Sequence, residues 1–295
     1  MGAILAENKI HHLYWRSTSK PTITTGTGTV ATGFEFENLF DNNAHTSFMN
    51  ATGTQTVTVI DFGADNFTFN GFAVYGHNLT TTQGIKVEHS DDNASYTNFT
   101  DSAVYPANAE HLPVNNNGEA FCVYLKGAAV TKRYIRITTV NWTTSTFLSN
   151  LAVGEFVEGI DISAPYSPPN FTLQEVAMKR NNEGNFLSSD TRKIPQKLNI
   201  RLTALQESDL SAASGVTTSI NGLSANHSFI DYFGFFLSRF PFFVIHDDGG
   251  SGTNSEKFTD RNQVYFCTID KSLKQPQFNT STTLNWSINA IGYLS

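Results

Sequence analysis

Turn-forming residues cut this chain into pieces too short for most folds. Between residues 55 and 160 the apolar runs 56–62, 71–75, 85–89, 120–125, 134–140 and 151–157 are flanked by Gly, Asn or Asp. Runs of this length between turn signals read as strands, and their regular recurrence predicts a sandwich or barrel. In Tyr134-Ile135-Arg136-Ile137-Thr138 apolar and polar side chains nearly alternate, as on a strand with one buried face. The 24 Phe residues, the abundance of Thr and Asn and a charged fraction of only 15% agree, because aromatic and β-branched side chains suit a pleated, half-buried surface.

A chain of 295 residues is long enough for two domains. Pro165, Pro168 and Pro169 follow Ile162 and break the pattern, so the division predicted is 1–162 and 163–295. Residues 1–25 read as a leading strand and turn, which puts His11 and His12 on opposite faces. In the second half, 171–179 and 197–205 read as paired strands around a polar loop, 181–190. Phe229, Phe233, Phe236, Leu237 and Phe240 fall at helical spacing, with Asn226 or Ser228 as cap and Pro241 as terminator. A strand at 242–245, a loop at 246–260 and strands at 263–269 and 282–291 complete an all-β reading, in which a second β-sandwich carries one flanking helix.

Several functions are set aside on chemical grounds. A net charge of -7 and the lack of a basic stripe argue against nucleic acid. No apolar run approaches the roughly 20 residues of a membrane span, so no membrane insertion is expected. Cys122 and Cys267 lie in opposite halves and read as apolar fillers. There is no Gly-x-Ser-x-Gly, no His-Glu-x-x-His and no phosphate loop, and the chain is read as a non-enzyme.

Six stretches in order then resemble the discoidin family of galactose-binding-like jelly rolls. They are Asp41-Asn42-Asn43-Ala44-His45-Thr46-Ser47-Phe48, Ile60-Asp61-Phe62-Gly63, Gly71-Phe72-Ala73-Val74-Tyr75, Ser90-Asp91-Asp92-Asn93, Arg133-Tyr134-Ile135-Arg136-Ile137, and Leu151-Ala152-Val153-Gly154-Glu155-Phe156. Asn42 stands where the family has Gly, and Phe48 and Tyr96 where it has Trp. The resemblance implies an N-terminal jelly-roll β-sandwich. It also implies a structural Ca2+ beside the early loop, with Asp41, Thr46 and Glu155 as ligands, oxygen donors being what that cation takes. Family ligands, often sugars, sit on loops at one end. His45, His77, Asn78 and Trp142 are the candidates for a sugar site, which needs an aromatic face and planar polar groups.

The second half loosely resembles phage minor tail or baseplate proteins, through Pro195-Gln196-Lys197-Leu198-Asn199-Ile200, the Phe-rich stretch to Phe240, Pro241-Phe242-Phe243-Val244-Ile245 and Val264-Tyr265-Phe266-Cys267-Thr268. That resemblance implies a structural virion component assembled in the host cytoplasm, with other tail proteins and copies of itself as partners. Its N-terminal domain would project outward toward a cell-surface glycan. The alternative reading is a glycan-binding module or lectin that is no part of a scaffold.

Overall fold

In the computed structural model the predicted strands assemble into facing antiparallel sheets. The structure describes residues 2–6, 8–16, 20–53, 55–80, 82–99, 120–125, 129–154, 156–161, 174–180, 186–193, 196–206, 240–247, 256–258, 264–270, 277–278 and 283–292. One five-stranded sheet runs Thr22–Thr27, Val57–Asp61, Tyr134–Val140, Gly84–Ser90, Thr97–Asn98. The sheet facing it runs Glu256–Phe258, Phe121–Tyr124, Gly71–His77, Phe147–Gly154, Phe48–Met49. Val57–Asp61 lies in the first sheet, Gly71–His77 in the second and Gly84–Ser90 in the first again, so the chain crosses the core repeatedly as a jelly roll does. Ile135 and Ile137 point into that core and Tyr134 and Arg136 away from it, as the alternation predicts.

The second of these sheets is buried on both faces, and every residue of Gly71–His77 is buried. Phe72, Val74, Phe121 and Val123 face the first sheet. Ala73, Tyr75, Cys122, Tyr124 and Ala152 face the other way, onto Phe243, Ile245, Val264 and Phe266. The Tyr75 and Phe266 rings stack at 4.7 Å. Those partners belong to a third layer, a seven-stranded sheet ordered Val157–Asp161, Gly2–Ala6, Phe242–Asp247, Val264–Ile269, Thr283–Gly292, Gln196–Gln206, with Gln277–Phe278 beside Thr283–Gly292. Gly2–Ala6 therefore pairs on both sides, and Glu256–Phe258 joins the middle sheet through Phe121–Tyr124. Strand pairing crosses the position of Ile162 in both directions.

Several expectations change. Lys9–Arg16 is a helix, not a continued strand. Ile10, Leu13 and Tyr14 have helical spacing, and the Asn8 side chain accepts from the His11 N–H at 3.1 Å, as an N-cap does. Ile10 enters the sandwich core, and His11 Nδ1 lies 2.7 Å from the Phe40 carbonyl oxygen. Gln174–Arg180 pairs with Phe186–Lys193, not with the strand that follows, because backbone pairing extends through the polar residues 186–190 that read as loop. Gln196–Gln206 pairs instead with Thr283–Gly292. The helix expected at 229–240 falls outside the described residues except for Phe240.

Covering the middle sheet has a measurable consequence. Phe266→Ala should cost about 3–5 kcal/mol in urea unfolding, since a buried aromatic leaves a cavity in a packed interface. A fragment ending at residue 162 should bind a hydrophobic dye that the full chain does not. A fragment with the full chain's dye signal would show that the third layer is dispensable.

Candidate functional site

Register places four loops at one end of the sandwich. Val57 lies opposite Thr27 and Thr138, Gly84 opposite Val140, and His77 opposite Leu148. The described residues of loops 28–34, 50–56, 78–83 and 141–146 therefore emerge together. The first two are laced by backbone bonds: Ala31 N–H to Met49 O at 3.0 Å, and Ala51 N–H to Thr29 O at 2.7 Å.

Below them lies a network of amides and hydroxyls. Asn50 is buried, and its Nδ2 donates to Thr139 Oγ1 at 3.1 Å while its Oδ1 accepts from Thr56 Oγ1 at 2.8 Å. The Thr56 N–H closes the triangle on Thr139 Oγ1 at 2.8 Å. Gln83 Nε2 donates to Thr146 Oγ1 at 2.9 Å, joining 78–83 to 141–146. Asn141, at φ 56°, donates to Thr82 O at 2.9 Å. Loops without regular structure are thus held by side chains that would be costly to bury unpaired.

Of the predicted sugar residues, Asn78 belongs to this network. Its Nδ2 donates to Ser145 O and its Oδ1 accepts from the Phe147 N–H, both at 2.7 Å. Trp142 is at the same end but beneath the surface, only 2% exposed, with Nε1–H donating to Gly84 O at 2.8 Å and its ring against Phe48. His77 is buried too. Gly76 takes φ 73° and breaks the alternation, so Tyr75 faces the third layer while the His77 ring meets Phe121 of the inner core at 5.5 Å. The Leu79 N–H donates to His77 Nδ1 at 3.3 Å, and burial lowers the imidazole pKa to about 4. His45 is exposed on a separate loop at the sheet edge, where its N–H donates to Asn43 Oδ1 and Asn150 Nδ2 donates to Asn43 O. The structure gathers three of the four candidates at one end, two of them as supports below the surface.

Of the expected Ca2+ ligands, Asp41 and Thr46 share one hydrogen-bonded loop. Thr46 Oγ1 donates to Asp41 Oδ2 at 2.6 Å, and the Asn43 N–H donates to Asp41 Oδ1 at 2.8 Å. Both carboxylate oxygens of Asp41 are therefore hydrogen-bonded within this loop. Glu155 lies outside the described residues. Among those described, no group of three His, Cys, Asp or Glu side chains clusters as a metal site. The supports Asn50, Thr56, Thr139, Gln83 and Thr146 were not predicted. In a chain so rich in Thr and Asn nothing local marks them, and only the pairing of distant strands brings them together.

No protein-family model and no curated protein matches the sequence. Solved structures do resemble it. A CBM32 module of AlyQ, in complex with 4,5-unsaturated mannuronic acid, is 23% identical, over 45% of this chain and 92% of that one, with a TM-score of 0.32. A chitosan-binding module from a chitosanase/glucanase of Paenibacillus sp. IK-5 is 17% identical, over 50% of this chain and 98% of that one, with a TM-score of 0.33. A Ruminococcus gnavus GH29 fucosidase in complex with fucose is 15% identical over 51% of this chain, with a TM-score of 0.36, and the match spans only 27% of the fucosidase.

Two outcomes follow for the buried pair. Trp142→Ala should lower stability by about 3–5 kcal/mol, so any binding it loses reflects a collapsed loop end. His77 has an ordinary pKa of 6.5 and a folded value of about 4, so the unfolded chain takes up the proton first on acidification. Its contribution is complete above about pH 6.5 and is lost as the pH falls toward 4, amounting to about 3 kcal/mol. Urea titrations at several pH values should show that slope in the wild type and a shallower one in His77→Gln. Equal slopes would contradict the buried, neutral imidazole.

Proposed function

We propose that the end built from loops 28–34, 50–56, 78–83 and 141–146 binds a glycan, and that the chain acts as a carbohydrate-binding module and not as a catalyst. The observation that carries this reading is the buried amide–hydroxyl network. It orders four irregular loops before any ligand arrives, and pre-ordering lowers the entropic cost of binding. The loops it holds are rich in hydroxyl and amide groups, the chemistry that exchanges hydrogen bonds with sugar hydroxyls. The six stretches that resemble the discoidin family all lie in this sandwich, and two of the solved structures named above are carbohydrate-binding modules.

The tail or baseplate role, with tail-protein partners, self-assembly and a virion location, gains no comparable support. Much of the Phe-rich stretch on which it leaned lies outside the described residues, and none of the structures named above is a tail protein.

A glycan array probed with the full chain, followed by calorimetry on the hits, tests the proposal. Saturable binding at millimolar affinity or better is expected. Asn78→Ala removes both bonds to the 145–147 segment and should weaken binding roughly tenfold, with at most about 3 kcal/mol lost in stability. A chain that binds no glycan at millimolar concentration would end this reading.

A further inference from the structure

One strand of the third sheet comes from the start of the chain, distant in sequence from both of its neighbours. Gly2–Ala6 runs antiparallel to Phe242–Asp247, in unbroken register from Gly2 opposite Asp247 to Ala6 opposite Phe243. On its other side it runs antiparallel to Val157–Asp161, with Gly2 opposite Asp161, Leu5 opposite Val157 and a shift of register between Ala3 and Leu5. The two flanking strands are therefore parallel to each other and stand two strand spacings apart, about 10 Å.

Each flank is fixed without help from Gly2–Ala6. Phe156, just before Val157, is held by Asn70: its N–H donates to Asn70 Oδ1 at 2.6 Å and its carbonyl accepts from Asn70 Nδ2 at 3.1 Å. Its ring is buried against Gly71 and Tyr124 of the middle sheet. On the other flank Phe243 and Ile245 are buried against the same sheet, and residues 242–245 pair with 264–267 on the side away from Gly2–Ala6. Closing the gap would mean moving one flank by about 5 Å, out of these contacts. The helix that follows Gly2–Ala6 is fastened elsewhere, with Ile10 in the sandwich core and Asn8 Nδ2 donating to Asn42 Oδ1 at 3.2 Å. Strand and helix thus belong to different layers.

We infer that the gap between Val157–Asp161 and Phe242–Asp247 is a standing slot for one extended apolar strand, and that it accepts the Gly2–Ala6 segment of a second copy of the chain when its own is displaced. A strand entering there gains backbone hydrogen bonds on both sides, where the rim of a sheet offers one. The slot sets direction, since the incoming strand is antiparallel to both walls. Gly2-Ala3-Ile4-Leu5-Ala6 carries no charge and no Pro, so it gives up little hydration and can donate at every position. Joined to its own chain, the resident strand competes at a high effective concentration, so an outside copy enters once the resident is weakened.

The test adds a fluorescent peptide of residues 1–8 to the full chain carrying Leu5→Pro, which removes a ladder hydrogen bond from the resident strand. The variant should stay folded by circular dichroism while losing hydrogen-exchange protection at the amides of 157–161 and 242–247 that face the slot. The peptide should bind saturably and restore that protection. It should bind the wild type at least about tenfold more weakly, because the slot there is filled. A scrambled peptide and a Leu5→Pro peptide should not bind. Unfolding of the whole variant would show that the walls do not stand alone and would overturn the inference. Unchanged protection at both walls, no peptide binding, or equal binding of either control peptide would overturn it as well.

Discussion

The fold depends on one sheet that buries both of its faces. Across its centre, Ala73 pairs with Cys122 on one side and Ala152 on the other, a row of small side chains on the face turned toward the third layer. Phe243 and Phe266 pack against that row, where larger residues would hold the layers apart. Gly71 extends the same logic, since a Cβ there would stand 2.5 Å from the Phe156 ring. Cys122 is therefore explained by size, and burial pushes its thiol pKa well above the usual range. A thiol so placed is an inert filler.

The first sandwich was largely legible in the sequence because its signals are local. The departures from the family pattern have physical readings as well. Asn42 takes φ 60°, the left-handed region that Gly usually supplies and that Asn tolerates best among other residues. Phe48 fills the core beside Trp142, and Tyr96 lies under the Arg136 guanidinium at 3.7 Å. Arg136 in turn pairs with Glu88 at 2.7 Å, while Arg133 binds Asp61, so the Arg-x-x-Arg strand is read out as two cross-strand ion pairs.

What the sequence hid was non-local. Period-two alternation puts Tyr75 and His77 on one face, and only the left-handed Gly76 separates them. A Trp just past a strand reads equally as a surface platform or a plug, and what settles it is Gly84 O, 58 residues away in the chain. The third layer left even less trace. Tyr75, Cys122 and Tyr124 look like the second face of an ordinary strand until the strands 242–247 and 264–269 are seen to cover them. Most supports of the loop end share this origin, for the bonds of Thr139 to Asn50 and Thr56, and of Gln83 to Thr146, join segments distant in sequence.

Gly2–Ala6 lies inside the third sheet, between Val157–Asp161 and Phe242–Asp247. During translation these residues leave the ribosome long before their second partner strand exists. Until then one edge of the strand is open and the outer face of the middle sheet is bare, a state prone to pairing with the wrong chain. Completion of this sheet is thereby tied to synthesis of Phe242–Asp247, so its closure is a long-range event.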